Sequence, residues 1–148
     1  MSQKKYYTAS IWLSWLNHPL RAQYEIEFRL SSPADATVAV VLPTVVSAIE
    51  RSDVFVIEEA NRIVAMSTFT ARRADRVQIG GVFTAADKRS KGYARAVVAG
   101  SLKIVGTEGI RRATLFTGVT SYAAQRAYQA VGFQRVGDYG IVLFERAR

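Results

Sequence analysis

The clearest periodicity lies in the middle of the chain. "VFVIEE" (Val54–Glu59) and "IVAMSTFTA" (Ile63–Ala71) are apolar runs of strand length, and Ala60-Asn61-Arg62 between them reads as a hairpin turn. After a turn at Asp75, "VQIGGVFT" (Val77–Thr84) is a third strand. Its Gly80-Gly81 pair signals a bulge, or the close approach of another backbone or a ligand. A helical period takes over from about Lys91, with Tyr93, Val97, Gly100 and Ile104 near one face and an end before Gly109. "ATLFT" (Ala113–Thr117) is a further interior strand. Ser121 can cap a helix through Val131, with Gly132 as its C-terminal glycine. The tail "FQRVGDYGIVLFE" gives two short strands about Gly137–Gly140.

Upstream the pattern is sparser. A short helix around Ser10–Leu16, stopped by Pro19, would place Trp12, Trp15 and Leu16 on one face. "YEIEFRL" (Tyr24–Leu30) alternates as a half-buried strand does. Asp35 offers an N-cap for a helix toward Glu50, kinked or broken at Pro43. The order is strand, helix, three antiparallel-type strands, helix, strand, helix, two strands. It predicts a mixed α/β (α+β) domain with a helix crossing between the strands at Val77–Thr84 and Ala113–Thr117.

Composition narrows the chemistry. The 148 residues suit a single domain, and 49% of them are apolar, enough for a sizeable core. No apolar run reaches the roughly 18 residues of a membrane span, and no signal peptide is read at the N terminus. The chain has no cysteine and one histidine, His18. That excludes disulfides, thiolate metal sites, a cysteine nucleophile and a histidine metal cluster. No metal is expected, and a cytoplasmic location is. The net charge of +8 favours polyanions, but the cations are dispersed and form no basic tail.

One dispersed group falls at a structural junction. "DKRSKGYARA" (Asp87–Ala96) carries Arg89, Gly92 and Ala94 as R-x-x-G-x-A where strand gives way to helix. A helix N-terminus presents unpaired backbone N–H groups and a positive dipole end, which suit a phosphate. Gly92 removes a Cβ that would hold a pyrophosphate off the backbone, and Ala94 keeps the next turn slim. Lys88, Arg89, Lys91 and Arg95 add positive charge. Taken alone, the pattern equally fits a plain helix start.

With the strand before it, "LFT" and "SYAAQRAYQAVGF" after it, the set resembles the GNAT acyltransferase superfamily, over roughly Val54–Glu145. "GGVFTAADKRSKGYARAVV" looks like the superfamily's acyl-coenzyme A motif. Ala124, Tyr128, Gly132 and Phe133 match its A-x-x-x-Y-x-x-x-G-F segment. The resemblance implies a mostly antiparallel sheet flanked by helices and splayed at a cofactor slot. The whole chain, 1–148, is one such domain, with 1–52 a divergent N-terminal part and 53–148 the cofactor-binding core. It implies acetyl-coenzyme A as co-substrate. Val82, Phe83 and Thr84 would meet the pantetheine arm, and the backbone of Arg89, Ser90, Lys91, Gly92, Tyr93, Ala94 and Arg95 would hold the pyrophosphate. Ser121 and Gln125 are further contacts, standing where relatives often carry Asn. Tyr128 would protonate the departing thiolate; a phenol with an ordinary pKa near 10 is protonated at neutral pH. Equally, Tyr128 could be a core aromatic beside Val131.

A general base is harder to find. Many members carry a Glu on the strand before the motif, where this chain has Gln78 and no carboxylate. Glu58 or Glu59, on the neighbouring hairpin arm, is the candidate, against a reading as solvated turn residues. Asp138 and Glu145 are weaker choices. His18, beside Pro19, reads as a surface or capping residue. The expected activity is transfer of an acetyl group from acetyl-coenzyme A directly to an amine of a small molecule or peptide, neutral or acidic given the positive chain. The alternative is a non-catalytic coenzyme A-binding or basic nucleic-acid-binding module on the same fold. Neither a nucleic-acid nor a membrane partner is expected under the first reading. A homodimer, with Tyr6, Tyr7, Trp12 and Trp15 at an interface that completes the acceptor pocket, stays open.

Overall fold

The computed structural model describes residues 5–8 and 46–140. The expected helix at Ser10–Leu16, the strand at Tyr24–Leu30, Asp35, Pro43, His18 and the chain beyond Gly140 lie outside them.

Five strands form one sheet in the order β1 (Lys5–Thr8), β2 (Val54–Glu59), β3 (Arg62–Arg73), β4 (Arg76–Thr84) and β5 (Arg112–Leu115). The first three pairings are antiparallel and β4–β5 is parallel. The parallel pairing demands a crossover, which α1 (Tyr93–Gly106) supplies; α2 (Tyr122–Gln129) follows β5. The order predicted for the middle of the chain is therefore present. β2 and β3 are joined by a two-residue turn, Ala60-Asn61, with φ of 50° and 58° at the two positions, the left-handed pair that matches strand twist.

The sheet is covered on both faces, as the alternation along β2 shows. Phe55 and Ile57 join Val64, Phe69, Val77 and Ile79 beneath Tyr93, Val97, Val98 and Val105 of α1. Val54 and Val56 join Met66, Phe83 and Ala85 on the opposite face, against Ala48 of the helical residues 46–50. Each such aliphatic or aromatic side chain contributes about 1.5–3 kcal/mol by leaving water.

The glycine pair in β4 makes a bulge. Met66 faces Phe83 but Thr68 faces Gly80, so β4 spends one extra residue there, and Gly81 takes φ 54°. A Cβ on Gly80 would stand 2.5 Å from Thr70 Cγ2, so the Thr70 side chain would have to shift to admit one.

On α1, Tyr93, Val97, Val98, Ser101 and Val105 are buried, with Ile104 half-buried against the same core. Three expectations are corrected. β5 stops at Leu115, and Phe116 and Thr117 lie beyond it. α2 ends at Gln129, and a turn carries the chain to Gly132. Residues 133–140 form no strand, although "FQRV" was expected to. Val136 is 97% exposed, and without burial on one face a four-residue run has little to hold it in a sheet. The short β1 was not anticipated; "KYYT" is too brief to show a period.

Candidate active site

β4 and β5 pair only from Arg76/Arg112 to Ile79/Leu115. β4 then runs on to Thr84 alone on that side, so the sheet parts there, as the resemblance implied. Which backbone groups face the gap follows from the ladder. The Ala85 N–H donates to the Val64 carbonyl at 3.0 Å, so Ala85 and Phe83 point their amides at β3. Thr84 between them turns its amide toward the gap. The Phe83 side chain belongs to the core on the far face, so of these three residues Val82 and Thr84 line the parted edge.

Beyond Thr84 a 3-10 turn (Ala86–Lys88) leads to a loop with two left-handed residues, Ser90 at φ 59° and Gly92 at φ 79°. Gly92 is the N-cap of α1 and its carbonyl accepts the first helical bond, from the Ala96 N–H at 3.0 Å. No side chain caps this end, and its first turn holds no carboxylate. The N–H groups of Tyr93, Ala94 and Arg95 therefore open the helix with the positive end of its dipole unneutralised, with Lys91 and Arg95 exposed beside them. Such an end suits an anion.

The loop's cations are less free than their positions suggested. Arg89 lays its guanidinium over the Phe83 ring, 5.3 Å from the centroid, and its Nε donates to the Thr84 carbonyl at 3.2 Å. It thus fixes the loop to the end of β4. Lys88 donates to Glu59 Oε2 at 2.5 Å, and the Tyr93 hydroxyl donates to Glu59 Oε1 at 2.7 Å. Next to this triad, Arg62 grips Asp87 with two bonds of 2.8 and 2.9 Å. Lys91 Nζ reaches the Asp87 carbonyl at 3.1 Å. The β2–β3 turn is therefore clasped at two points to the stretch that leads into α1. The bond to the Glu59 carboxylate raises the Lys88 ammonium pKa and likewise the Tyr93 phenol's. Arg62 lowers that of the Asp87 carboxyl through its hydrogen bonds.

Of the two candidate bases, Glu59 is held by that triad, and Glu58 stands in β2 opposite Lys5 at a register shift. Tyr128 projects from α2 into the core around Val97 and Val98, 9% exposed, edge-on to Phe133 at 6.3 Å. It also borders a cleft of about 910 Å³ on the α2 side of β5, lined among others by Phe116, Thr117, Gln125 and Tyr139. Gln125 spends its amide on the Gly118 and Val119 carbonyls, both at 3.0 Å. Ser121 is the N-cap of α2, as expected, but its side chain makes no capping bond. The structure thus gathers Val82, Thr84 and Arg89–Arg95 at one end of β4, and places Gln125 and Tyr128 on the cleft beside β5. The role of Arg89 as a brace was missed, since its partners are a ring and a carbonyl brought near only by folding. Among the described residues no cluster could hold a metal ion, and no helix is long and apolar enough to cross a membrane.

Comparison with known proteins agrees with this fold. The model of the acetyltransferase (GNAT) family matches residues 12–133. N-acetyltransferase family 8 member 3 of Rattus norvegicus is 29% identical over 73 residues, a segment that spans 49% of this chain and only 32% of that protein. Among solved structures, an aminoglycoside N-acetyltransferase in complex with CoA superposes at a TM-score of 0.69 and 16% identity, covering 100% of this chain and 97% of that one. Glucosamine-6-phosphate N-acetyltransferase of Arabidopsis thaliana does so at 0.69 and 16%, covering 97% and 99%. At such identities the structures speak for the fold alone.

Proposed function

Because the chain belongs to the GNAT acetyltransferase family, we propose that it moves an acetyl group from acetyl-coenzyme A directly to an amine of a small molecule or peptide. One observation carries the reading: a parted strand edge, with the Thr84 amide turned outward, leads straight into the uncapped N-terminus of α1. The edge suits the amide-bearing pantetheine arm, and the helix end suits the pyrophosphate. Bound there, acetyl-coenzyme A supplies an activated acyl thioester.

The chain's own groups would do the rest. Residues 53–148, the core, would hold the donor. Tyr128 gives its proton to the thiolate as the amine–carbonyl bond forms and the carbon–sulfur bond breaks. Of the two carboxylates, Glu59 serves the loop, which leaves Glu58 to take the amine's proton, directly or through a water. No cysteine is present to carry the acyl group, so transfer is direct. The net charge of +8 disfavours polycationic acceptors and points to a neutral or acidic amine. Turnover of polyamines or aminoglycosides alone, in a screen of amines, would contradict that preference.

Replacing Tyr128 by Phe tests the chemistry. Turnover should fall by about 10²–10⁴-fold while acetyl-coenzyme A affinity stays nearly unchanged. Unchanged turnover would return Tyr128 to the core. A non-catalytic coenzyme A-binding module is the second reading, favoured by Gln125, whose amide is committed to two backbone carbonyls. Tight binding of acetyl-coenzyme A without acetylation of any amine would favour it.

A further inference from the structure

Arginines that lie apart in the sequence come together at the opposite end of β4 from the parted edge. Arg73 pairs with Arg76 across the β3–β4 turn, and Arg76 pairs with Arg112 across the parallel ladder. Residues paired directly on neighbouring strands share a face, so the three form one row. Val77 and Ala113, the next residues of β4 and β5, pack with the core beneath α1, so the row points away from α1. At the usual strand spacing it is about 10 Å wide. The nine residues of β4 hold it about 26 Å from Thr84.

Like charges directly opposite one another repel, so such a row is held at a cost. Its neighbours offset only part of that cost. Arg76 and Arg112 share one carboxylate, Asp75, and their side chains stay 56% and 63% exposed. Arg73 and, beside Arg112, Arg111 are exposed and make no ion pair among the described residues. Arg72 is taken by Asp53 and Glu108. A positive excess therefore stands at this corner of the sheet. A guanidinium fork fits the oxygens of a phosphate, and a row of forks fits successive phosphates on one chain. The next residues on the same face, Gln78 and Thr114, are polar, so nothing there would enter a lipid layer. No aromatic stands in the row to stack on a base; the exposed Phe116 and Tyr139 stack on each other past the far end of β5.

We propose that Arg73, Arg76 and Arg112 form a docking surface for the phosphate backbone of a duplex nucleic acid, held without reading its sequence. The surface is separate from the site at the C-terminal end of β4 and does not depend on which amine, if any, is acetylated.

Anisotropy of a fluorescent DNA duplex of mixed sequence, titrated with the protein at several salt concentrations, tests it. The logarithm of affinity should fall against the logarithm of salt with a slope of about −3 or steeper, as three neutralised phosphates require. In Arg73→Gln/Arg76→Gln/Arg112→Gln the slope should be shallower by about 3 units and binding weaker. Arg73→Gln alone, which breaks no ion pair, should flatten it by about 1 unit, so the answer stands even where the triple variant folds poorly. Lys103→Gln/Arg126→Gln/Arg135→Gln removes the same charge elsewhere and should keep the wild-type slope. Saturating acetyl-coenzyme A should not displace the duplex. No binding by the wild type, or an unchanged slope in both row variants, would overturn the proposal. Equal flattening in the control variant would do so too, leaving net charge alone. Displacement by acetyl-coenzyme A would overturn it by moving the duplex to the N-terminus of α1. Binding to vesicles of anionic phospholipid with none to the duplex would overturn it in favour of a membrane surface.

Discussion

Gly92 shows how much of the site rests on single backbone angles. At φ 79° it occupies a region that L side chains reach only at a cost of about 1–2 kcal/mol. An added Cβ would find its nearest neighbour, Arg95 Nη2, at 3.8 Å, so there is room for it. Gly92→Ala should therefore act through strain: stability falls by about 1 kcal/mol in chemical denaturation, and coenzyme A affinity falls as the N–H groups tilt. Ser90 shares the left-handed conformation at φ 59° without being glycine. Ser90→Gly should raise stability by roughly 0.5–1 kcal/mol, since relief of strain exceeds the added freedom of the unfolded chain. Sequence alone located Gly92 and its motif, because strand, turn, glycine and helix follow one another locally. It gave a different purpose for the glycine, namely clearance for a ligand, where the structure adds a turn only glycine makes easily. Arg89 and Glu59 were legible as charges and illegible as braces, for their partners lie on other elements.

Among the elements, the decisive contact joins the β2–β3 turn to the stretch that leads into α1. Glu59 holds Lys88 and Tyr93, and Arg62 holds Asp87. Folding lowers the Asp87 carboxyl pKa, so its contribution is present above the ordinary carboxylate range near pH 3.9 and is lost as pH falls through the folded value. Lys88 and Tyr93 are raised instead, so their contribution is full below about pH 10 and fades as pH rises through their folded values. Melting temperature followed against pH should fall at both ends. Asp87→Asn should flatten the acid limb, and Glu59→Gln the alkaline one. A wild-type acid limb in Asp87→Asn would mean that the clasp contributes nothing. The Glu59 variant also sorts the two carboxylates: a loop role predicts weaker acetyl-coenzyme A binding with kcat largely kept, whereas Glu58→Gln should lower kcat and change its pH profile. The hairpins were legible because alternation and turn residues recur within a few positions. Residues 133–140 were misread because such a short run gains burial only if another strand lies alongside.

Among the described residues, a sheet covered on both faces leaves an edge parted beside β5, and the uncapped N-terminus of α1 lies with it at the C-terminal end of β4. The fold class was open to sequence reading since five or more elements kept their order. The acceptor side was not, because it depends on how distant segments enclose a pocket. The net charge of +8 should speed capture of an anionic donor, so the association rate of acetyl-coenzyme A should fall as ionic strength rises. The central claim, that the β4 edge and the α1 N-terminus together receive an acyl-coenzyme A, is tested most directly by calorimetric titration of the purified protein with acetyl-coenzyme A and, separately, with adenosine 3′,5′-bisphosphate. Micromolar binding that needs the pantetheine arm is the predicted result. Equal binding of the bisphosphate alone, lost in moderate salt, would contradict it and reduce "DKRSKGYARA" to a basic patch.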